Sequence, residues 1–178
     1  MRKVLELVWE TAKIVIISLL IIIPIRYYLI QPFLVHGASM EPSFDNGEYL
    51  IVNELVYRLE EPERGDVIVF KYPQDPSQYY IKRIIGLPEE TIQIKNGQIT
   101  IYNQEFPEGQ ILDESSYLSS ETTTWGSIRT DLAGNEYFVL GDNRSASSDS
   151  RRWGALPEGL IIGKVWIRAW PFARASIF

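Results

Sequence analysis

From Ile14 to Ile25 almost every position is Ile, Leu or Val, broken only by Ser18 and Pro24. Counted from Thr11 to Ile30 the stretch is 20 residues, roughly what a helix needs to cross a bilayer core. Arg26 can snorkel to an interface where Tyr27 and Tyr28 supply an aromatic belt. Leu5, Val8, Trp9 and Ala12 keep helical spacing, so the helix is expected to start upstream of the apolar run. Arg2, Lys3 and Lys13 precede the run and only Arg26 follows closely. The positive-inside rule therefore puts the N-terminus in the cytoplasm and the residues after 30 outside. The expected organisation is a cytoplasmic segment over 1–13 and one transmembrane anchor over 14–30. A cleaved signal peptide is the competing reading. Cutting after Ala38 would put His36 at the −3 position, which is unfavourable, and cutting after Gly37, with Val35 at −3, is an allowed but weak site.

Past residue 30 the pattern becomes one of short apolar runs between turn signals. Gln31 to His36 reads as extended. Tyr49 to Val52 follows the turn Asp45-Asn46-Gly47, and Val67 to Phe70 follows Gly65-Asp66. Turn-rich Pro73 to Ser77 separates that run from Tyr79 to Ile85. Thr91 to Ile94 and Ile99 to Tyr102 flank Asn96-Gly97, the residue pair that a type I′ hairpin turn favours. Glu136 to Leu140 and Leu160 to Ala169 read as the last strands. Many short strands without helical periodicity predict a mainly β fold. The polar, loop-rich stretch around 89–134 reads as an inserted β/loop subdomain between two parts of a catalytic core, 31–88 and 135–178.

Composition narrows the chemistry. Residues 1–30 carry four basic and two acidic residues, so the remainder of the chain holds 13 basic against 21 acidic and a net charge of −8. An acidic domain without a basic stripe argues against nucleic acid as partner. With no cysteine, disulfides, thiolate nucleophiles and Cys-type zinc sites are excluded, and a single histidine excludes a multi-His metal centre. That histidine, His36, stands three residues before Ser39, poorly placed to take a proton from its hydroxyl. A catalytic serine here needs another base.

Ser39 sits in His36-Gly37-Ala38-Ser39-Met40-Glu41-Pro42, where small neighbours let a substrate backbone approach and Pro42 stiffens the loop. The loop suits a nucleophile, but serines in Gly/Pro loops are common, and taken alone the loop favours an ordinary turn serine. In Tyr79-Tyr80-Ile81-Lys82-Arg83-Ile84-Ile85, alternation puts Tyr80, Lys82 and Ile84 on one face and Ile81, Arg83 and Ile85 on the other. A lysine on a packed face loses hydration, its pKa falls, and its neutral form can accept a serine proton. The plainer alternative is a salt bridge at a sheet edge. The loop 141–154, rich in Asp, Asn, Arg and Ser, could form a hydrogen-bonded floor for such a site or simply solvate a turn.

Together these segments resemble the bacterial type I signal peptidases, the Ser/Lys proteases that remove signal peptides from exported proteins. The resemblance rests on Gly37-Ala38-Ser39-Met40-Glu41-Pro42, Arg64-Gly65-Asp66-Val67-Ile68-Val69-Phe70, Tyr80-Ile81-Lys82-Arg83 with Gly86-Leu87-Pro88, and Gly141-Asp142-Asn143-Arg144 with Ser147, Asp149-Ser150-Arg151 and Trp153-Gly154. They occur in the family's order and span essentially the whole chain past the anchor.

The resemblance implies a membrane-bound endopeptidase with Ser39 as nucleophile and Lys82 as general base, cutting after small residues at Ala-x-Ala-like sites. It implies that Ser147 orients Lys82 by a hydrogen bond, that Asp149 and Arg151 support the loop, and that Tyr80 packs beside the Lys82 stem. The position two before the nucleophile, a serine in some members, is Gly37 here, so the oxyanion hole rests on backbone, with the Ser39 N–H as first donor. Gly37, Ala38, Met40, Ile81 and Ile84 are expected to meet substrate. The partners implied are signal-peptide-bearing preproteins and a lipid bilayer, with the catalytic domain on the outer side (periplasmic, extracellular or thylakoid-lumenal). No cofactor and no metal are implied, and oligomeric state is left open. Phe33, Phe44, Trp166, Trp170 and Phe172 are candidates for touching lipid, although core filling is the expectation for the two tryptophans. A self-cleaving Ser/Lys regulator would need an N-terminal DNA-binding helix pair where this chain has its apolar run. A catalytically silent membrane-tethered β binding module would not react with a serine-directed acylating probe.

Overall fold

A computed structural model describes the backbone of residues 2–28 and 30–178, and the side chains of 6–20, 22 and 31–178. In chain order the elements are α1 (Arg2–Tyr28), β1 (Ile30–Leu34), β2 (Tyr49–Asn53), β3 (Val67–Tyr72), β4 (Asp75–Gly86), β5 (Thr91–Lys95) and β6 (Gln98–Tyr102). They continue with β7 (Gln110–Ile111), β8 (Ile128–Asp131), β9 (Glu136–Leu140), α2 (Ser150–Trp153), β10 (Leu156–Pro157), β11 (Ile161–Trp170) and β12 (Ser176–Ile177). The fold is mainly β, as the pattern of short runs predicts.

Two sheets make up the body. The larger runs β1-β2-β11-β3-β4-β9-β10, with β12 added against β11, and the smaller runs β7-β6-β5-β8. The smaller sheet draws only on residues 91–131, the stretch read from sequence as an insertion. Its central hairpin closes through Asn96 at φ 53 and Gly97 at φ 81, the left-handed pair that a type I′ turn requires. Along β5 and β6, Ile92, Ile94, Ile99 and Ile101 are buried while the residues between them face outward. These isoleucines pack with Ile85, Phe138 and Leu140 of β4 and β9, so the smaller sheet sits on the larger through one shared apolar cluster.

Two expectations need correcting. The stretch Pro73 to Ser77 is not all turn. Tyr72 pairs with Asp75, leaving only Pro73 and Gln74 in the bend, while Asp75 holds the strand start by accepting from the Ser77 N–H and hydroxyl and from Gln78. The tryptophans do not fill the core: Trp166 and Trp170 are 41% and 48% exposed, because β11 turns those positions outward.

The anchor expected over 14–30 lies partly outside the described side chains. The backbone of α1 is helical from residue 2, upstream of the apolar run, as the spacing of Leu5, Val8, Trp9 and Ala12 suggests. Among the described residues, no helix is long and apolar enough to cross a membrane. The described part of α1 includes Glu6, Glu10 and Lys13, whereas most of the apolar positions from 21 to 25 fall outside it.

Candidate active site

Ser39 is presented by a tight turn. Gly37 takes φ +86, a conformation that costs other residues strain, and its N–H is held by the Asn46 side chain at 2.9 Å. Beyond the serine, Glu41 N–H bonds the Ala38 carbonyl and Phe44 N–H bonds the Met40 carbonyl at 2.8 Å. Met40 and Phe44 point down into the core with Val35, Leu50, Val52 and Val69, which pins the turn from below. Among the described residues the Ser39 N–H has no acceptor within the protein.

Lys82 reaches this turn from β4. Its Nζ lies 2.7 Å from Ser39 Oγ, and it also donates to the Ile81 carbonyl at 2.7 Å. Neighbouring Ile84 is wholly buried, and the Tyr80 ring centroid lies 5.4 Å from Nζ. Lys82 itself is 3% exposed. Burial strips water from the ammonium and pushes its pKa from 10.5 down to about 8, against the opposing pull of the Asp149 and Asp142 carboxylates.

The loop 141–154 backs the pair. Asn143 N–H donates to the Ser39 carbonyl at 3.1 Å. Arg83 grips Asp142 with both ends of its guanidinium, at 2.9 and 2.6 Å, and also reaches the Gly65 carbonyl. Asp149 caps α2, takes two side-chain bonds from Arg151, and accepts the Gly141 N–H at 3.1 Å. Burial alone would raise the Asp149 carboxyl, but the bonds and charge of Arg151 hold it below the usual carboxylate range. Gly141 lies so close to Ser147 Oγ and the Ser39 carbonyl that a β-carbon there would collide with both.

The bond expected between Ser147 and Lys82 is not made. The Lys82 bonds go to Ser39 and to the Ile81 carbonyl, while the buried Ser147 hydroxyl faces Asp149 and helps hold that carboxyl low. Of the residues expected to meet substrate, only Ile81 lines the adjoining cleft. Met40 and Ile84 are corrected: both are fully buried in core clusters, because the turn after Ser39 and the inward face of β4 direct them under the site. Gly37 is exposed and Ala38 half-exposed, next to Ser39 on the turn.

A cleft of about 630 Å³ opens at Ser39 and Lys82. Pro32, Phe33 and Leu34 form one wall and Tyr79, Tyr80 and Ile81 the other, with Ser148 beside the pair. Among the described residues both walls carry strand backbone without a partner on the cleft side: β1 pairs only with β2, and β4 pairs with β9 only from Arg83 onward. Sequence reading missed this wall and the Arg83–Asp142 pair. The signal for the wall was the run Gln31 to His36, read as extended but not as the edge of a site.

Comparison with known proteins gives a consistent set of relatives. The family model for signal peptidase, peptidase S26, matches residues 8–170. The chain is 35% identical to a signal peptidase I of Leptolyngbya laminosa, over 93% of this chain and 81% of that one. It is 35% identical to a signal peptidase I of Bacillus amyloliquefaciens, over 92% and 86%. It is 31% identical to a probable signal peptidase I-2 of Synechocystis sp., over 94% and 76%.

Proposed function

The chain belongs to the signal peptidase family, peptidase S26, and from that premise we propose that Ser39 is its nucleophile and Lys82 its general base, working beside a membrane. The family's activity is the activity of this chain: it is a serine endopeptidase that removes signal peptides from preproteins. One observation carries the assignment of roles. A lysine buried to a pKa of about 8 has its nitrogen 2.7 Å from the hydroxyl of a serine in an open cleft.

In the neutral state the contact runs the other way, the Ser39 hydroxyl donating to the lone pair on Lys82 Nζ. As Oγ bonds the scissile carbonyl carbon, Lys82 takes the hydroxyl proton and the carbonyl oxygen becomes an oxyanion that accepts from the Ser39 N–H. When the C–N bond breaks, Lys82 gives its proton to the leaving amine. Water then attacks the acyl-enzyme, passing a proton to Lys82 that returns to Ser39 Oγ on release.

Substrate enters extended, pairing its backbone with the free edges of β1 and β4, and its small side chains meet the Phe33 and Ile81 walls. Its class is a preprotein cut after an Ala-x-Ala-like sequence.

Membrane tethering completes the reading. Leu7, Ile14 and Leu20 on α1 are 66–68% exposed, an arrangement that suits lipid better than water, and the apolar positions continue past them. With the basic residues ahead of this run, the N-terminus is cytoplasmic and the catalytic domain lies on the outer side. Anchoring raises the effective concentration of a substrate whose own apolar segment ends at the same height.

The test is cleavage of a preprotein by the full chain in detergent beside Ser39→Ala and Lys82→Ala. Cleavage after the small residue by the unsubstituted chain alone is the expected result. Undiminished cleavage by either variant would refute its assigned role.

A further inference from the structure

Arg144 leaves the catalytic loop and enters the inserted subdomain. It is 4% exposed, and its guanidinium takes both carboxylate oxygens of Glu114, at 2.8 and 2.5 Å, and the Thr124 hydroxyl. Its Nε turns back to the Gly141 carbonyl at 3.0 Å. Glu114 is fixed from the other side by the Tyr117 hydroxyl, which donates at 2.6 Å. The face of the Tyr117 ring lies 4.0 Å from the Arg83 guanidinium carbon. Since Arg83 grips Asp142, the residue after Gly141, the chain of contacts closes on itself.

The ring runs Glu114, Arg144, Gly141-Asp142, Arg83, Tyr117 and back to Glu114. Two arginines balance two carboxylates in it, so no buried charge is left unmatched. Both reacting side chains hang from this ring. Lys82 precedes Arg83 on β4, and the Ser39 carbonyl is held by Asn143, which lies between Asp142 and Arg144. A ring closed by charge-assisted bonds and one cation–π contact restricts its members to one arrangement, and opening any link loosens both arms at once.

We propose that Glu114 and Tyr117 of the inserted subdomain are positioning residues for catalysis, closing a ring of contacts that sets Ser39 and Lys82 in reacting register. The inserted subdomain is therefore part of the catalytic apparatus although none of its side chains reaches the scissile bond. The inference rests on the Ser39/Lys82 reading.

The experiment measures kcat and KM for preprotein cleavage by the full chain and by Glu114→Gln, Tyr117→Phe and the double variant. Thermal unfolding and titration with a serine-directed acylating probe fix the folded, active fraction. Glu114→Gln keeps the shape and removes the charge, whereas Tyr117→Phe keeps the ring over Arg83 and removes only the hydroxyl. Each single variant is expected to lose kcat per active site, roughly tenfold for Glu114→Gln and less for Tyr117→Phe, with KM within about twofold, because misplacement of reacting groups is felt in the chemical step. The double variant should be no slower than Glu114→Gln, since the ring opens only once. Unchanged kcat in folded variants, losses confined to KM, or losses that multiply in the double variant would overturn the proposal. If Glu114→Gln fails to fold, Tyr117→Phe decides it alone by the same split. Ser39→Ala and Lys82→Ala, run alongside, separate the two failures: an active unsubstituted chain silenced by both, with Glu114 and Tyr117 indifferent, sinks the ring and leaves the dyad.

Discussion

Lys82 Nζ and Ser39 Oγ lie 2.7 Å apart across 43 positions of sequence, brought together because β4 and the turn after β1 share one buried floor. Met40 and Phe44 press that turn into the core while the loop 141–154 holds its carbonyl from the side. On the proposed roles the pair is preorganised, with little rearrangement between the resting contact and proton transfer.

Gly141→Ala is expected to remove most of the activity with a smaller effect on folding. A β-carbon at 141 would strike both the Ser147 hydroxyl and the Ser39 carbonyl, and backbone on one side cannot yield cheaply. Cleavage rate against thermal midpoint checks this. A variant that keeps full activity would show that the loop does not have to sit where the structure puts it.

Lys82→Met should inactivate the enzyme yet raise its stability at neutral pH. The native state binds fewer protons than the unfolded chain between about 8 and 10.5, so Lys82 costs stability below about 8 and that cost fades as pH rises to 10.5. The gain from Lys82→Met should therefore be full at pH 7, about 3 kcal/mol before the loss of its two hydrogen bonds, and shrink toward pH 10.5. Chemical denaturation of both proteins across that range measures it. A methionine variant less stable at every pH would contradict the buried, destabilised ammonium.

The aromatic residues divide into two groups with opposite expectations. Phe44, a lipid candidate from sequence, has no exposed surface, so Phe44→Ala should cost about 3–5 kcal/mol and leave membrane contact unchanged. Trp170, 48% exposed with its ring 4.9 Å from that of the more exposed Phe172, should touch lipid. In vesicles of brominated lipid, quenching of tryptophan fluorescence should fall more on Trp170→Phe than on Trp125→Phe. Equal effects would remove Trp170 from the membrane surface.

The hairpin around Asn96-Gly97 was legible because it depends on a local rule, a left-handed pair between alternating strands. Ser39 and Lys82 stood out only through the ordered motifs of the family resemblance, since a turn serine and a strand lysine carry no local mark of each other. Phe44, Trp166 and Trp170 were misjudged because a large aromatic carries no local mark of which side of a sheet the core will occupy. Met40 and Ile84 stand next to Ser39 and Lys82 in sequence yet lie under the cleft, because nearness along the chain does not say which way a side chain faces. The Arg83–Asp142 grip and the long-range links of the ring through Glu114 and Tyr117 join residues 30 to 59 positions apart, and nothing in a single sequence pairs charges over such distances. The apolar run over 14–25 was plain from composition.

The most direct measurement is the pH dependence of kcat for preprotein cleavage by the full chain. The account predicts a rising limb with a midpoint near 8, as Lys82 loses its proton and becomes able to take that of Ser39. The limb should vanish with activity in both Ser39→Ala and Lys82→Ala. A profile flat from pH 6 to 10, or a limb that persists in Lys82→Ala, would contradict Lys82 as the base.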